Sequence, residues 1–387
     1  MPAVLGLVAD DLTGAGDAAA GFAEHGWRVV LALRPGRSVP PSGDRPTVLA
    51  VSTGSRALPD DEAAERTARA VDEVLTGGAE RLYLKIDSTV RGSVTGQIDG
   101  ALTGWAHRYP DARAVICPAF PAQRRTVIAG QVLVDGVPVG ESAAATDPVT
   151  PRTVSDLTVI VPGAIRHVFS ELSGGSAAKL VIDAKDDSDL DRLADALSPA
   201  GPELIMVGSG GLAAALGRAW GQPRGQWMAS GVDGRVLIAV SSLHPVTAGQ
   251  VEQLQTGPAV TAVDVLTTRS ETTTAAAAAD ELAGRVVAAL SDRPYAALVI
   301  VGGDGAAAIL SRVAVDSVAI DGTIIPGCPT GILAGGPAHG LRLVTKSGGF
   351  GDRGALTEIT SRLRADGADP SSDHHPAGLR PIQKEAS

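Results

Sequence analysis

Short apolar runs alternate with amphipathic or alanine-rich stretches along almost the whole chain. In the first half, the compact runs at 4–9, 29–33, 48–51, 82–86, 114–117, 157–161, 180–182 and 204–207 predict strands. Between them, helical spacing over 15–25, 60–75, 95–107, 164–172, 188–197 and 212–220 predicts helices. The alternation resumes later, with segments at 236–240, 246–254, 259–263, 272–290, 297–301 and 306–313 and apolar pieces around Val318 and Leu343. Strands alternating with helices are the mark of parallel sheets with helices on their faces. The fold class is therefore α/β: two domains, each a mostly parallel sheet flanked by helices, with a ligand cleft between them. One exception interrupts the rhythm, because Asp135-Gly136 stands between the apolar triplets 132–134 and 137–139. That is a hairpin signal, and it predicts a decoration of the sheet beside a cleft.

Length agrees with two domains, since 387 residues exceed what one ordinary core organises. The Gly- and polar-rich stretch 221–234 reads as a linker and divides the chain into 1–225 and 226–366. Residues 367–387 lose periodicity and gather Pro, Ser and charge, so a disordered tail is expected. Lys and Arg total 33 against 43 Asp and Glu, a formal charge of −10 with no basic block, which argues against nucleic acid as a partner. Cys117 and Cys328 are the only cysteines. A disulfide framework and a thiolate-built zinc site are excluded, and a reducing compartment is expected. No signal-type N-terminus is visible, and no uncharged apolar run approaches the ~20 residues of a membrane helix, so a cytoplasmic protein without membrane contact is expected.

Polar residues with chemical potential gather where predicted strands end, which is where open α/β sheets hold ligands. The first strand runs into Asp10-Asp11-Leu12-Thr13-Gly14-Ala15-Gly16-Asp17. Asp11 or Thr13 has a simple use as a helix cap; paired carboxylates can also accept from sugar hydroxyls, hold Mg²⁺ or act as a general base. A second strand ends in Lys85-Ile86-Asp87-Ser88-Thr89-Val90-Arg91, where the strand pleat places Lys85 and Asp87 on one face. An internal salt bridge and a polar site for a small hydroxylated anion both fit that cluster. A third strand leads through Cys117-Pro118-Ala119-Phe120-Pro121 to Arg124, Arg125 and Thr126, and an Arg fork suits a carboxylate. Three such strand ends in one domain predict a site for a polyhydroxy acid. Ser209, after another strand, serves as a cap or as part of the interdomain cleft.

The second half carries glycine loops instead. Gly302-Gly303-Asp304-Gly305 opens a helix after an apolar strand, so its free amides and the helix dipole favour phosphate. Lys346-Ser347-Gly348-Gly349-Phe350-Gly351 adds a cation, a hydroxyl and more glycine, and Ser241, Ser242 and Thr247 sit at a third turn. Together they point to a nucleotide site. Neither a Walker A loop nor a G-x-G-x-x-G after the first strand of either domain is present, nor is any G-x-S-x-G or H-E-x-x-H motif.

VADDLTGAGD, KIDSTVRG and PAFPAQRRTVIAG, followed by SSLHPVT, GGDGA, PGCP and KSGGFGD, resemble in order the motifs of the four-carbon acid sugar kinases. That family includes D-threonate, D-erythronate and 3-oxo-tetronate kinases. The resemblance implies an N-terminal acid-sugar domain, a C-terminal domain for ATP with Mg²⁺, and phosphoryl transfer to the terminal hydroxyl of the acid sugar. It places Asp10, Asp11, Lys85, Asp87 and Arg91 in the acid-sugar site, with Arg125 a further member. Ser242, Gly302, Gly303, Asp304, Gly305, Gly348 and Gly349 match its ATP positions, and Lys346 stands in the same loop. Asp87 or Asp11 is expected to be the base or orienting group for the hydroxyl. No metal ligand set is implied, and an assembly of identical copies stays open. Three positions depart from the family pattern: Asp304-Gly305 replaces Glu-Thr, Gly349 replaces Asn, and His244 replaces Ser. The alternatives weighed are an NAD-dependent hydroxy-acid dehydrogenase, which lacks its fingerprint here, and a non-catalytic sugar-acid-binding protein with a degenerate ATP site.

Overall fold

The computed structural model describes residues 4–34, 45–147, 149–168, 172, 177–222, 234–257, 262–268 and 274–365. Most of the predicted linker and the predicted tail lie outside the described residues. In the first half the elements are β1 (Val4–Ala9), α1 (Leu12–Ala23), β2 (Arg28–Ala32), β3 (Thr47–Ser52), α2 (Asp60–Thr76), β4 (Arg81–Lys85), α3 (Val94–Ala106) and β5 (Arg113–Cys117). They continue with β6 (Arg125–Ile128), β7 (Gln131–Val134), β8 (Val137–Pro138), α4 (Leu157–Ile160), β9 (Ala164–His167), β10 (Lys179–Ile182), α5 (Asp187–Leu197), β11 (Leu204–Gly208) and α6 (Gly210–Trp220). The second half holds β12 (Val236–Val240), α7 (Pro245–Thr256), β13 (Val263–Thr267), α8 (Ala275–Asp292), β14 (Ala297–Val301), α9 (Gly303–Val313), β15 (Ser317–Ile325), β16 (Cys328–Ala334), β17 (Arg342–Lys346) and α10 (Ala355–Ala365).

Strands buried on both faces need apolar residues at every position. All residues of β1, β11, β12 and β14 are buried, and their sequences are correspondingly continuous apolar runs. The strands form one sheet of 14 in the order β13-β12-β14-β17-β16-β15-β2-β3-β1-β4-β11-β5-β10-β9. Helices flank it, so the α/β class holds. Eight strands from β2 to β9 pair in parallel, as do β13, β12, β14 and β17, while β15 and β16 pair antiparallel with their neighbours. The seam is Ser317–Ile320 of β15 against β2. Beyond the seam the β15–β16 register shifts at Ile320/Gly322 and again at Thr323/Ile325, irregularities of the kind that bend and twist a strand pair. One apolar core takes in both faces of the first half's strands and continues across the seam along one face of the second half, joining Leu7 and Phe22 to Leu298 and Leu333. The other face of the second half has its own core around Ile238, Val299 and Ile359.

Two predicted elements are exchanged. The expected strand 157–161 is the short helix α4, and the expected helix 164–172 opens as strand β9. The β-branched run Thr158-Val159-Ile160-Val161 suggests extended chain, but Asp156 caps the Thr158 amide at 2.8 Å and starts a turn. Gly163, at φ +78°, then redirects the chain to the sheet edge, where β9 pairs with β10. Of the segment expected at 259–263, residues 259–261 lie outside the described residues, and β13 runs over Val263–Thr267. The Asp135-Gly136 hairpin is present: both residues have positive φ, and Val134 pairs with Val137 in a separate three-stranded sheet of β6, β7 and β8.

Candidate functional site

The carboxyl ends of β1, β4 and β11 meet in one cavity with the ends of β17 and the start of β16. Its volume is about 90 Å³, and its walls include Asp11, Thr13, Asp17, Arg56, Lys85, Asp87, Arg91, Phe120 and Arg125. From the second half come Gly327, Pro329, Thr345, Ser347 and Phe350. Residues more than 300 positions apart in the chain, Asp11 and Phe350, thus share a wall.

Arg56 organises the acids. Its guanidinium donates to both oxygens of Asp10, at 2.6 and 2.9 Å, and to Asp11 at 3.0 Å, and lies 3.8 Å from Asp87. Asp10 is 1% exposed and sits behind Arg56, outside the cavity wall. Burial pushes its carboxyl up, only partly offset by Arg56. Asp11 caps α1 by accepting from the Gly14 amide at 2.9 Å and also accepts from Thr13 Oγ1 at 2.8 Å. Burial would raise it, yet Arg56, Lys85 and these hydrogen bonds together hold it below the usual range. The capping role and the charged-cluster role of Asp11 therefore coexist.

Asp87 is gripped bidentately by Arg91, both contacts at 2.9 Å, and accepts from the Thr89 hydroxyl and amide. Against its burial, Arg91, Arg56 and Thr89 hold it well below the carboxylate range. Arg91 also donates to Asp147 at 2.9 Å, an acid supplied by the segment after the hairpin. Lys85 donates to the Ile86 carbonyl at 2.9 Å while its side chain faces the cavity. Arg125 bonds the Gln123 carbonyl, and its Nε is buried without a partner. Ser209 caps α6 through the Gly211 amide and donates to the Ala119 carbonyl at 3.0 Å, so both uses expected of it occur together at the cavity edge.

The glycine loops of the second half converge next door, because β12, β14 and β17 are adjacent. Gly302, at φ +113°, donates to the Lys346 carbonyl at 2.9 Å, and a side chain there would collide with Ser241. A methyl on Gly348 would collide with Ser242 Oγ, which also lies 3.2 Å from the Thr247 hydroxyl. Thr247 donates in turn to the Gly348 carbonyl at 2.8 Å. Gly303 opens α9 against the substrate-side cluster, its Cβ direction ending 3.4 Å from Asp11 Oδ2 and from Thr13 Oγ1. The first-turn amides of α9 lack intrahelical acceptors, so an anion placed there would lie beside Asp11. Gly305 packs on Ser241, and the side chain of Asp304 lies outside the described residues.

Lys346 differs from expectation. It is fully buried, donates to the Ser347 and Gly348 carbonyls at 2.9 and 3.3 Å, and stays outside the cavity wall. Burial pushes its ammonium down to about 8, which suits a brace of the loop better than a surface charge. Two departures from the family pattern are neighbours in space: the His244 imidazole lies over Gly349, its Nε2 3.5 Å from where a Cβ would stand. Among the described residues no group of three or more His, Cys, Asp or Glu is placed to hold a metal.

Arg56 is the charged residue of the cavity wall that sequence reading passed over. Its signal was the polar end of the third strand, Ser52-Thr53-Gly54-Ser55-Arg56, equivalent in place to the three strand ends that were read. Both thiols are free and buried, and burial pushes each up to about 12, so neither is a nucleophile.

Residues 5–216 match a family described as a sugar-binding N-terminal domain, and residues 267–356 match one described as a nucleotide-binding C-terminal domain. A D-threonate kinase of Bordetella bronchiseptica is 35% identical, covering 93% of this chain and 97% of its own. A 3-oxo-tetronate kinase of Brucella melitensis is 25% identical, with 94% and 96% covered. A crystal structure from Bordetella bronchiseptica, described as a domain-swapped dimer with bound citrate, is 35% identical, covers 93% of this chain and 98% of its own, and superposes with a TM-score of 0.52. A Salmonella typhimurium structure described as a putative tRNA synthase is 21% identical over 93% of this chain and 98% of its own. It reaches 0.74, a likeness of fold alone. By motif order, site geometry and these matches, the chain belongs to the family of four-carbon acid sugar kinases.

Proposed function

We propose that the protein transfers the γ-phosphoryl group of ATP to the terminal hydroxyl of a four-carbon acid sugar of threonate, erythronate or 3-oxo-tetronate type. The observation that carries this reading is the shared cavity. Four cationic side chains and several acids from the first half line it together with Ser347 and Phe350 of the second half, and the start of α9 adjoins it, a Cβ on Gly303 falling 3.4 Å from the wall residue Asp11. Residues 1–225 act as the acid-sugar domain and residues 226–366 as the nucleotide domain. The related Bordetella structure was solved with citrate, itself a hydroxy acid, which supports a site with affinity for carboxylates.

Phosphoryl transfer asks mainly for in-line placement and for neutralised charge. Arg91, Arg125 and Lys85 bind the acid's carboxylate, and Arg91 is held in place for this by Asp87 and Asp147. Asp10 fixes Arg56, which in turn fixes Asp11 and Asp87 as acceptors that orient the sugar hydroxyls. The amides of Gly303, Asp304 and Gly305, with Ser242 and the Gly348–Gly349 turn, receive the triphosphate. Asp11, the carboxylate beside the start of α9, would hold Mg²⁺ together with phosphate oxygens, and the ion would supply neutralisation of the phosphate charge. The free buried thiols fit a reducing, cytoplasmic setting, and no helix among the described residues is long and apolar enough to cross a membrane. The partners proposed are small molecules, with identical copies assembling as the Bordetella relative does, and neither nucleic acid nor membrane.

A coupled ADP-release assay over D-threonate, L-threonate, D-erythronate and 3-oxo-tetronates tests the reading. ADP release dependent on one of these acids is expected. Release with none of them, from protein that binds ATP, overturns it.

A further inference from the structure

One acid in the cavity wall has no task so far. Asp17 lies on α1 one turn beyond Thr13, so it projects from the same helical face into the same cavity as Lys85, Asp87 and Arg91. The neighbouring acids of that wall are engaged: Asp11 by Arg56, Thr13 and the Gly14 amide, Asp87 by Arg91 and Thr89. The Asp17 carboxylate has no hydrogen bond and no ion pair with any described residue. Its room is made by the opposite helix: at Gly210, the first residue of α6, a Cβ would collide with Asp17 Oδ2. A carboxylate given space in a ligand cavity and no protein partner has its lone pairs free for a ligand.

Resting on the kinase reading above, we propose that Asp17 is the general base of the transfer and takes the proton of the substrate hydroxyl. As the hydroxyl oxygen bonds to the γ-phosphorus, its O–H bond breaks and the proton passes to the Asp17 carboxylate. The bond from the γ-phosphorus to the β–γ bridging oxygen breaks, and its electron pair leaves with ADP. Asp17 then returns the proton to solvent.

Titration supports the assignment. Burial pushes Asp17 up to about 6, Asp11 and Glu24 on its own helix add to the rise, and Lys85 from β4 opposes it. Tyr83 of β4 and Cys328 of β16 are also within electrostatic range of it. A base near 6 is ionised at neutral pH yet still takes a proton readily, whereas Asp11 and Asp87, held low by their arginines, are poor proton acceptors. Only the ionised form works, so activity falls as pH drops through about 6.

The test compares wild type, Asp17→Asn and Gly210→Ala with the acid that wild type turns over. For Asp17→Asn, kcat is expected to fall at least ~100-fold while KM for the acid stays within about 3-fold, the pattern of a lost proton acceptor. The acid limb of the wild-type kcat/KM profile near pH 6 should be missing from the residual activity. Gly210→Ala, whose methyl would press on the Asp17 carboxylate and on the Phe120 ring of the same wall without changing any charge, should lower kcat. An Asp17→Asn kcat above about one third of wild type, or an acid limb that survives the substitution, overturns the proposal. Should Asp17→Asn not fold, the wild-type profile decides, since a flat kcat/KM down to about pH 4.5 overturns it as well. Wild type that releases no ADP with any acid is a separate failure, that of the kinase reading.

Discussion

Replacing Arg56 by Met removes the one cation that touches both Asp10 and Asp11 and stands 3.8 Å from Asp87. The side-chain volume is roughly kept, so the perturbation is mainly electrostatic. Asp10 carries most of the consequence because its side chain is fully enclosed. Without its partner it folds protonated. Protonating a carboxyl of ordinary pKa 3.8 at pH 7 costs about 1.36 kcal/mol for each of roughly 3.2 units, which sets a ceiling near 4.4 kcal/mol. Part of that ceiling is already present in wild type, where burial raises Asp10, while Asp11 and Asp87 lose attraction in the variant. The expected loss is about 3 kcal/mol at pH 7, within the range for breaking a buried ion pair.

The pH dependence has a defined sign. A folded-state pKa above the unfolded value contributes stability that is present below the unfolded pKa and disappears as pH rises. The variant is therefore handicapped most at pH 7 and less at pH 5, where protonation from 3.8 costs only about 1.6 kcal/mol. Urea unfolding of wild type and Arg56→Met at the two pH values measures this, read as midpoint and slope. A loss under about 1 kcal/mol at pH 7, or an equal loss at pH 5, refutes the reasoning.

Asp87→Asn frees Arg91 from its bidentate partner and removes a hydroxyl acceptor; kcat should fall at least ~100-fold in the ADP-release assay, and near-normal kcat contradicts the role. Gly348→Ala drives a methyl into Ser242 Oγ at the glycine turn, so KM for ATP should rise by about 10-fold or more while KM for the acid changes less than about 2-fold. Equal effects on both substrates would show that the turn serves the whole fold and not the nucleotide.

Much of the site was legible because its residues stand at strand ends, and strand ends follow from apolar runs. Asp11, Lys85, Asp87, Arg91 and Arg125 were found this way, and all five line the cavity. Arg56 escaped because no charge partner lies near it in the chain: Asp10 and Asp11 are 46 and 45 residues away. Lys346 was read as a free cation because a Gly-rich loop looks open in one dimension; folded, the loop closes on its own lysine. The exchange of strand and helix at 157–167 has the same origin, since Asp156 and Gly163 override the β-branched run between them.

The order of apolar and polar residues alone determined the α/β class, the hairpin at Asp135-Gly136 and the separation of acid-rich from glycine-rich strand ends. Those are local properties, written in periods of two and 3.6 residues. The tertiary structure decided which ends face one another. The β2–β15 seam joins the two parallel sets of strands into one sheet, and it brings Gly303 within reach of Asp11 and Phe350 into the wall around Lys85. It also decided charge state, because burial and partners are properties of three-dimensional neighbourhoods: Asp11, Asp87 and Asp17 are the same residue type, yet two are held low by arginines and one is left free near 6.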